Sequence, residues 1–129
     1  MNFKNKKSGF TLAEIIVTVI IASVLMSLAI PRFTRSLERI RVAEGVEILT
    51  ALLRAQKAYE MGTGSYTAVL ADLDVEFPNA ENFNLPPTVA AANPIASVTR
   101  TGGYRLDISD LGAITCTNVG AITCAQAGY

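Results

Sequence analysis

Few residues in this chain are equipped for covalent chemistry. There is no His, which removes the commonest general base and the commonest zinc ligand. Ser65, Tyr66 and the scattered acids show no spacing that would pair a nucleophile with a base, so no catalytic residue and no enzyme is expected. Asp107 and Asp110 stand close together, but Ca²⁺ takes about six to eight oxygens and no dense acidic cluster follows them. Neither a metal nor a cofactor is expected. Three features do carry chemistry: Glu14 is a lone acid inside an apolar run, Cys116 and Cys124 form an even pair late in the chain, and Lys4, Lys6 and Lys7 precede Gly9 with no acid among them. A charged side chain at a membrane centre costs about 2.5–3.5 kcal/mol on insertion scales, less near a helix end, so Glu14 needs a partner or a proton. The cysteine pair points to a disulfide in an oxidising compartment.

These residues depend on the elements that hold them. The 129 residues suit one domain. Eleven basic and eleven acidic residues cancel, and 50% of the chain is hydrophobic against 17% charged. That balance excludes a disordered chain and argues against a dedicated nucleic-acid binder. The average hides a concentration: from Phe10 to Ile30 only Thr11, Glu14, Thr18, Ser23 and Ser27 are not apolar. As a helix this run is about 31 Å long, enough for the ~30 Å hydrocarbon layer. A cleaved secretory signal fits poorly, because its apolar core is usually ~7–15 residues and ends at a small-residue site. Pro31-Arg32-Phe33 stands there instead. Orientation is not decided by Lys and Arg counts, since Arg32, Arg35, Arg39 and Arg41 on the far side balance the three lysines. The cysteines place the C-terminal domain outside the cytoplasm.

Helical periodicity continues to Met61. Val42, Val46, Leu49 and Leu53 form one stripe and Phe33, Leu37 and Ile40 an earlier one, with Gly62-Thr63-Gly64 as the stop. Pro31 is expected to kink or open this helix because it lacks an amide hydrogen, and Gly45 is a second weak point. Ser65 to Thr99, with four prolines and an Ala-rich run, reads as a long connection with a short helix near Thr67–Leu73. Tyr104, Leu106 and Ile108 then alternate with Arg105, Asp107 and Ser109 as in a half-buried strand. Gly-Ala-Ile-Thr-Cys occurs at 112–116 and again at 120–124, which reads as two arms of a hairpin. A loop centred on Gly120 would set Cys116 opposite Cys124 at bridging distance. Free or metal-bound thiols are the alternative, although no His or third Cys is present to complete a metal site.

Lys6-Lys7-Ser8-Gly9-Phe10-Thr11-Leu12-Ala13-Glu14 resembles the processing site of type IV prepilins and type II secretion pseudopilins. The shared pattern is a short basic leader ending in Gly, an aromatic residue, Thr-Leu, and a Glu five positions into the mature chain. Pro31 also falls where many members have proline. The resemblance implies an α+β pilin fold: a long N-terminal helix, kinked near Pro31, packed on a small C-terminal antiparallel sheet. Its expected divisions are a cytoplasmic leader at 1–9, a transmembrane and filament-core helix at 10–30, an amphipathic helix at 31–61, a helix-to-sheet loop at 62–102, and the sheet with a disulfide hairpin at 103–129. It implies cleavage between Gly9 and Phe10 by a prepilin peptidase, N-methylation of Phe10, and pairing of Glu14 with the Phe10 amine of a neighbouring copy. Loss of the leader would leave eight basic against eleven acidic side chains. The implied partners are further copies in a helical filament, the inner membrane, and the assembly platform with its ATPase machinery. The implied location is the inner membrane as precursor and the cell surface afterwards. The paired C-terminal cysteines and Leu53–Tyr59 followed by Gly64-Ser65-Tyr66 look like type IVa pilins, the first expectation. A type II secretion pseudopilin, which typically carries a calcium-binding loop there, is the alternative. A minor pilin with a DNA-uptake or adhesin role is the second, although Arg100 and Arg105 make only a thin basic patch.

Overall fold

A computed structural model describes residues 9–77 and 80–129. The chain divides into two compact units, residues 1–34 and residues 35–129. One helix, α1 (Leu12–Thr63), begins in the first and ends in the second. The first unit is the apolar stretch of α1, whose side chains are all exposed.

In the second unit α1 shows a solvent face and a core face. Val42, Gly45, Leu49, Leu52 and Gln56 recur at the three- and four-residue steps that keep one face of a helix, with Ile48 beside them and Glu38 one turn earlier. The face differs from the sequence expectation by part of a turn: Val46 and Leu53 flank it, while Phe33 and Ile40 are 64% and 69% exposed. Apolar spacing alone could not choose, because glycine, glutamine and glutamate hold places on the buried side.

A 3-10 turn (Leu70–Asp72) follows, then β1 (Phe83–Val89), β2 (Ala96–Arg100), β3 (Tyr104–Ile108), β4 (Ile114–Asn118) and a one-turn helix, α2 (Cys124–Ala127). The strands form an antiparallel sheet in chain order. The α+β class, a long helix against a four-stranded antiparallel sheet, is therefore as expected. Ala96 and Val98 of β2 and Tyr104, Leu106 and Ile108 of β3 join the helix residues in the core.

Two boundaries need correction. Residues 62–102 are not a strandless loop, because β1 and β2 lie within them. Pro86 and Pro87 hid β1; they are tolerated because it is an edge strand whose register shifts between Asn84 and Thr88. The C-terminal segment is not a hairpin either. The first Gly-Ala-Ile-Thr-Cys copy enters β4, whereas the second ends on α2, where Thr123 and Gln126 form a reciprocal capping box.

Pro31 and Gly45, the expected kink positions, both lie within continuous α1. Pro31 removes the amide that would reach the Ser27 carbonyl, yet the helical assignment continues through it. Gly45 has a packing reason: a Cβ there would stand 2.5 Å from Phe83 Cζ and 3.0 Å from Leu106 Cδ1.

Candidate functional site

The start of α1 collects the residues singled out by chemistry. Gly9 is exposed and Phe10 is 84% exposed; the rest of the basic leader, with Lys4, Lys6 and Lys7, lies outside the described residues. Thr11 caps the helix, its carbonyl accepting from the Ile15 amide at 3.3 Å. Its own amide and hydroxyl both donate to Glu14 Oε2 at 2.8 Å. The Glu14 amide donates back to Thr11 Oγ1 at 3.3 Å. This is a Thr-x-x-Glu capping box, which satisfies helix-end donors reciprocally and sets a negative charge at the positive end of the helix dipole. The chain itself thus supplies two hydrogen bonds to Glu14. The signal for Thr11 in the sequence is its three-residue spacing to Glu14, that of a capping box.

The other polar groups of this stretch are also satisfied locally. Thr18, Ser23 and Ser27 donate to the carbonyls of Ile15, Ile20 and Val24 at 2.7–2.8 Å. These hydroxyls therefore ask nothing of the surroundings, as a dry environment requires. The most apolar window reaches a mean hydropathy of 2.5 with none of it buried. Such a surface is suited to lipid or to copies of itself.

The second unit concentrates its polar chemistry inside. Glu38, 5% exposed, accepts from Arg100 Nε at 2.8 Å and from Arg41 Nη1 at 3.0 Å. Arg100 also donates to the Asn82 carbonyl at 2.8 Å and to the Thr101 carbonyl at 3.3 Å. Burial by itself would raise the Glu38 pKa, but the hydrogen bonds and charges of Arg100 and Arg41 outweigh it and hold the carboxyl below its usual 4.5. Gln56 closes the far end: its amide nitrogen donates to the Thr67 and Ile95 carbonyls at 2.7 and 3.4 Å, and its oxygen accepts from the Thr67 amide at 3.0 Å.

Arg100 and Arg105 consequently do not form a basic patch. The first is buried on Glu38 and the second pairs with Asp107 at 2.9 Å. Asp107 also accepts from Ser97 at 2.6 Å, and Asp110 exchanges two 2.8 Å hydrogen bonds with Asn93, so both acids have protein partners. Cys116 and Cys124 are joined in a disulfide with Cα atoms 5.9 Å apart, and the Cys124 amide donates to Asn118 Oδ1 at 2.7 Å.

A capped apolar helix and a small antiparallel α+β domain are consistent with a prepilin-like subunit. Residues 4–30 match the prokaryotic N-terminal methylation motif. The chain is 33% identical over 95 residues to the type II secretion system core protein G of Escherichia coli (strain K12), covering 72% of this chain and 62% of that protein. It is 31% identical over 71 residues to the type II secretion system core protein G of Aeromonas hydrophila, covering 55% of this chain and 50% of that protein. The aligned stretches thus span about half to three-fifths of the curated relatives. No solved structure matches the chain. The methylation motif and both relatives support the type IV pilin and type II secretion pseudopilin family for this chain. Both relatives are secretion-system proteins, which favours the pseudopilin alternative over the type IV pilin suggested by the cysteines.

Proposed function

We propose that this chain is a structural subunit of a type II secretion pseudopilus, stored in the inner membrane and drawn into a multi-subunit filament. The similarity to core protein G over 72% of the chain carries this reading. Residues 10–30 are the segment that moves from lipid to the fibre core. Both surroundings are dry, so the transfer is nearly neutral in hydrophobic terms and a polar contact must set the register.

Glu14 supplies that contact. Cleavage between Gly9 and Phe10 by a prepilin peptidase would turn the Phe10 amide into a basic amine, and N-methylation leaves it basic. The amine of a neighbouring copy then competes with Thr11 for the Glu14 carboxylate, and a head-to-tail contact that does not close generates a fibre. After release of the leader, the rest of the domain stays on the exported side.

The discriminating experiment is a deletion in the native host, complemented with the wild-type chain or Glu14→Ala. A pseudopilin predicts that secreted enzymes accumulate in the periplasm of the deletion strain. Wild type restores export, whereas Glu14→Ala restores neither export nor filaments although its domain folds. Normal export with loss of surface fibres would instead establish the type IV pilin reading, which the Cys116–Cys124 bridge favours. An intact Met1 in the assembled protein would sink both.

A further inference from the structure

Arg35 and Arg39 stand one helical turn apart on α1, both exposed. Residues four apart share a face, and like charges there repel, so the isolated subunit gains nothing from placing them together. No carboxylate relieves them: among the described residues neither has an ion pair. Glu38 between them is taken by Arg41 and Arg100. Glu44, the next acid along, accepts from Asn82 at 2.8 Å.

Their position relative to the apolar run says what could neutralise them. The run ends at Ile30, and Arg35 and Arg39 follow only five and nine residues later in the sequence. The polar layer of a bilayer adds about 5–7 Å beyond the hydrocarbon on each side. Helical side chains lean towards the N-terminus, here the membrane end, and a long arginine stem extends that lean. The Arg39 stem also lies against the C-terminal turn, since a Cβ on Gly128 would come within 3.3 Å of its Nε. A guanidinium fork matches phosphate oxygens bidentately.

We propose that Arg35 and Arg39 form a docking face for the phosphates of anionic phospholipids, holding the stored subunit at fixed depth in the exported-side leaflet. The proposal rests on residues 10–30 spanning the membrane and is independent of filament assembly. It also gives the repelling pair a purpose, because one lipid phosphate or two neighbouring ones would turn the repulsion into an attraction.

The test uses the full chain in lipid nanodiscs of equal phosphatidylglycerol and phosphatidylcholine, with native mass spectrometry counting retained lipids. Phosphatidylglycerol should be retained preferentially, with about fivefold of that preference lost for each of Arg35→Gln and Arg39→Gln. The double variant should approach parity, and Arg54→Gln on the exposed helix beyond should match wild type. Helical circular dichroism checks that the variants fold. A double variant that keeps its preference, an equal loss in Arg54→Gln, or equally strong competition by inorganic phosphate would overturn the proposal. A chain that floats with vesicles but shows no lipid preference overturns this proposal alone; one that does not float overturns the membrane-spanning reading as well.

Discussion

Gly45→Ala separates two accounts of the glycine in the middle of α1. If Gly45 is a helix weak point, alanine should stabilise the protein by about 1 kcal/mol, the usual difference in helix propensity. The structure predicts the opposite sign. The new methyl would lie 2.5 and 2.8 Å from two ring carbons of Phe83 and 3.0 Å from Leu106 Cδ1, so the ring must retreat by about 1 Å to reach ordinary contact. Retreat is obstructed, because Phe83 is buried and packs edge-on against Tyr104 with centroids 6.4 Å apart. Overpacking of this kind costs about 1–3 kcal/mol. Since the nearest contact is deeply overlapped, the upper part of that range applies, and the net loss after the propensity gain is about 1–2 kcal/mol. For a domain of this size Tm should fall by roughly 5–10 °C. The assay is thermal unfolding of the full chain in detergent, followed by near-ultraviolet circular dichroism of the tyrosines. That signal reads the packed domain and not the micelle-embedded stretch. Phe83→Leu added to Gly45→Ala should cost less than the two singles summed, because the smaller side chain frees the notch. A Tm that rises with alanine would refute the packing account and restore the hinge.

The buried ion pair and Tyr104 give two further expectations. Arg100→Met leaves Glu38 buried with only Arg41, and breaking such a pair costs about 3–5 kcal/mol. Because the Glu38 pKa is depressed in the folded state, its contribution is complete above pH 4.5 and disappears as the pH falls through the lower folded value. Acid unfolding should therefore shift to higher pH in the variant. Tyr104 is pushed up from 10.0 to about 12, first by burial and then by the charge of Glu38. The stability it confers is complete below pH 10 and is lost as the pH rises through about 12, so Tyr104→Phe should remove that step from the alkaline unfolding curve.

The parts of the fold legible in the sequence were those where one physical signal acted alone. Phe10–Ile30 is a nearly unbroken apolar run, and β3 alternates apolar and polar residues in sequence, with Tyr104, Leu106 and Ile108 in the core and Arg105 exposed, although Asp107 is buried as well. β1 escaped because two prolines in seven residues read as loop, and only its place at the sheet edge makes them admissible. β2 is five residues long and carries just one large aliphatic side chain, Val98. The buried polar positions were invisible for a different reason. Glu38 meets an arginine 62 residues away and Gln56 meets a carbonyl 39 residues away, so hydropathy sends each to the surface until its partner is known. At the start of α1 Glu14 stands out because an acid in an apolar run is costly, whereas Thr11 shows only in its three-residue spacing to that acid.

Those buried polar positions explain how the core face of α1 finds one place on the sheet. Along residues 10–30, Glu14 and the four hydroxyl residues apart, a rotation or one-turn slide replaces one apolar side chain by another, so hydrophobic burial cannot set a register there. The core face beyond has the same weakness in its Val42, Ile48, Leu49 and Leu52 stretch, where aliphatic side chains interchange at little cost. Three positions on that face do not interchange. Glu38 must find Arg100, Gly45 must receive Phe83, and Gln56 must meet the main chain at Thr67 and Ile95. A slide of one turn would bury an unpaired carboxylate, drive a side chain into the Phe83 ring and orphan an amide, each costing more than the apolar contacts it exchanged. The hydrophobic effect holds the helix on the sheet, and these three residues choose the register at which it is held.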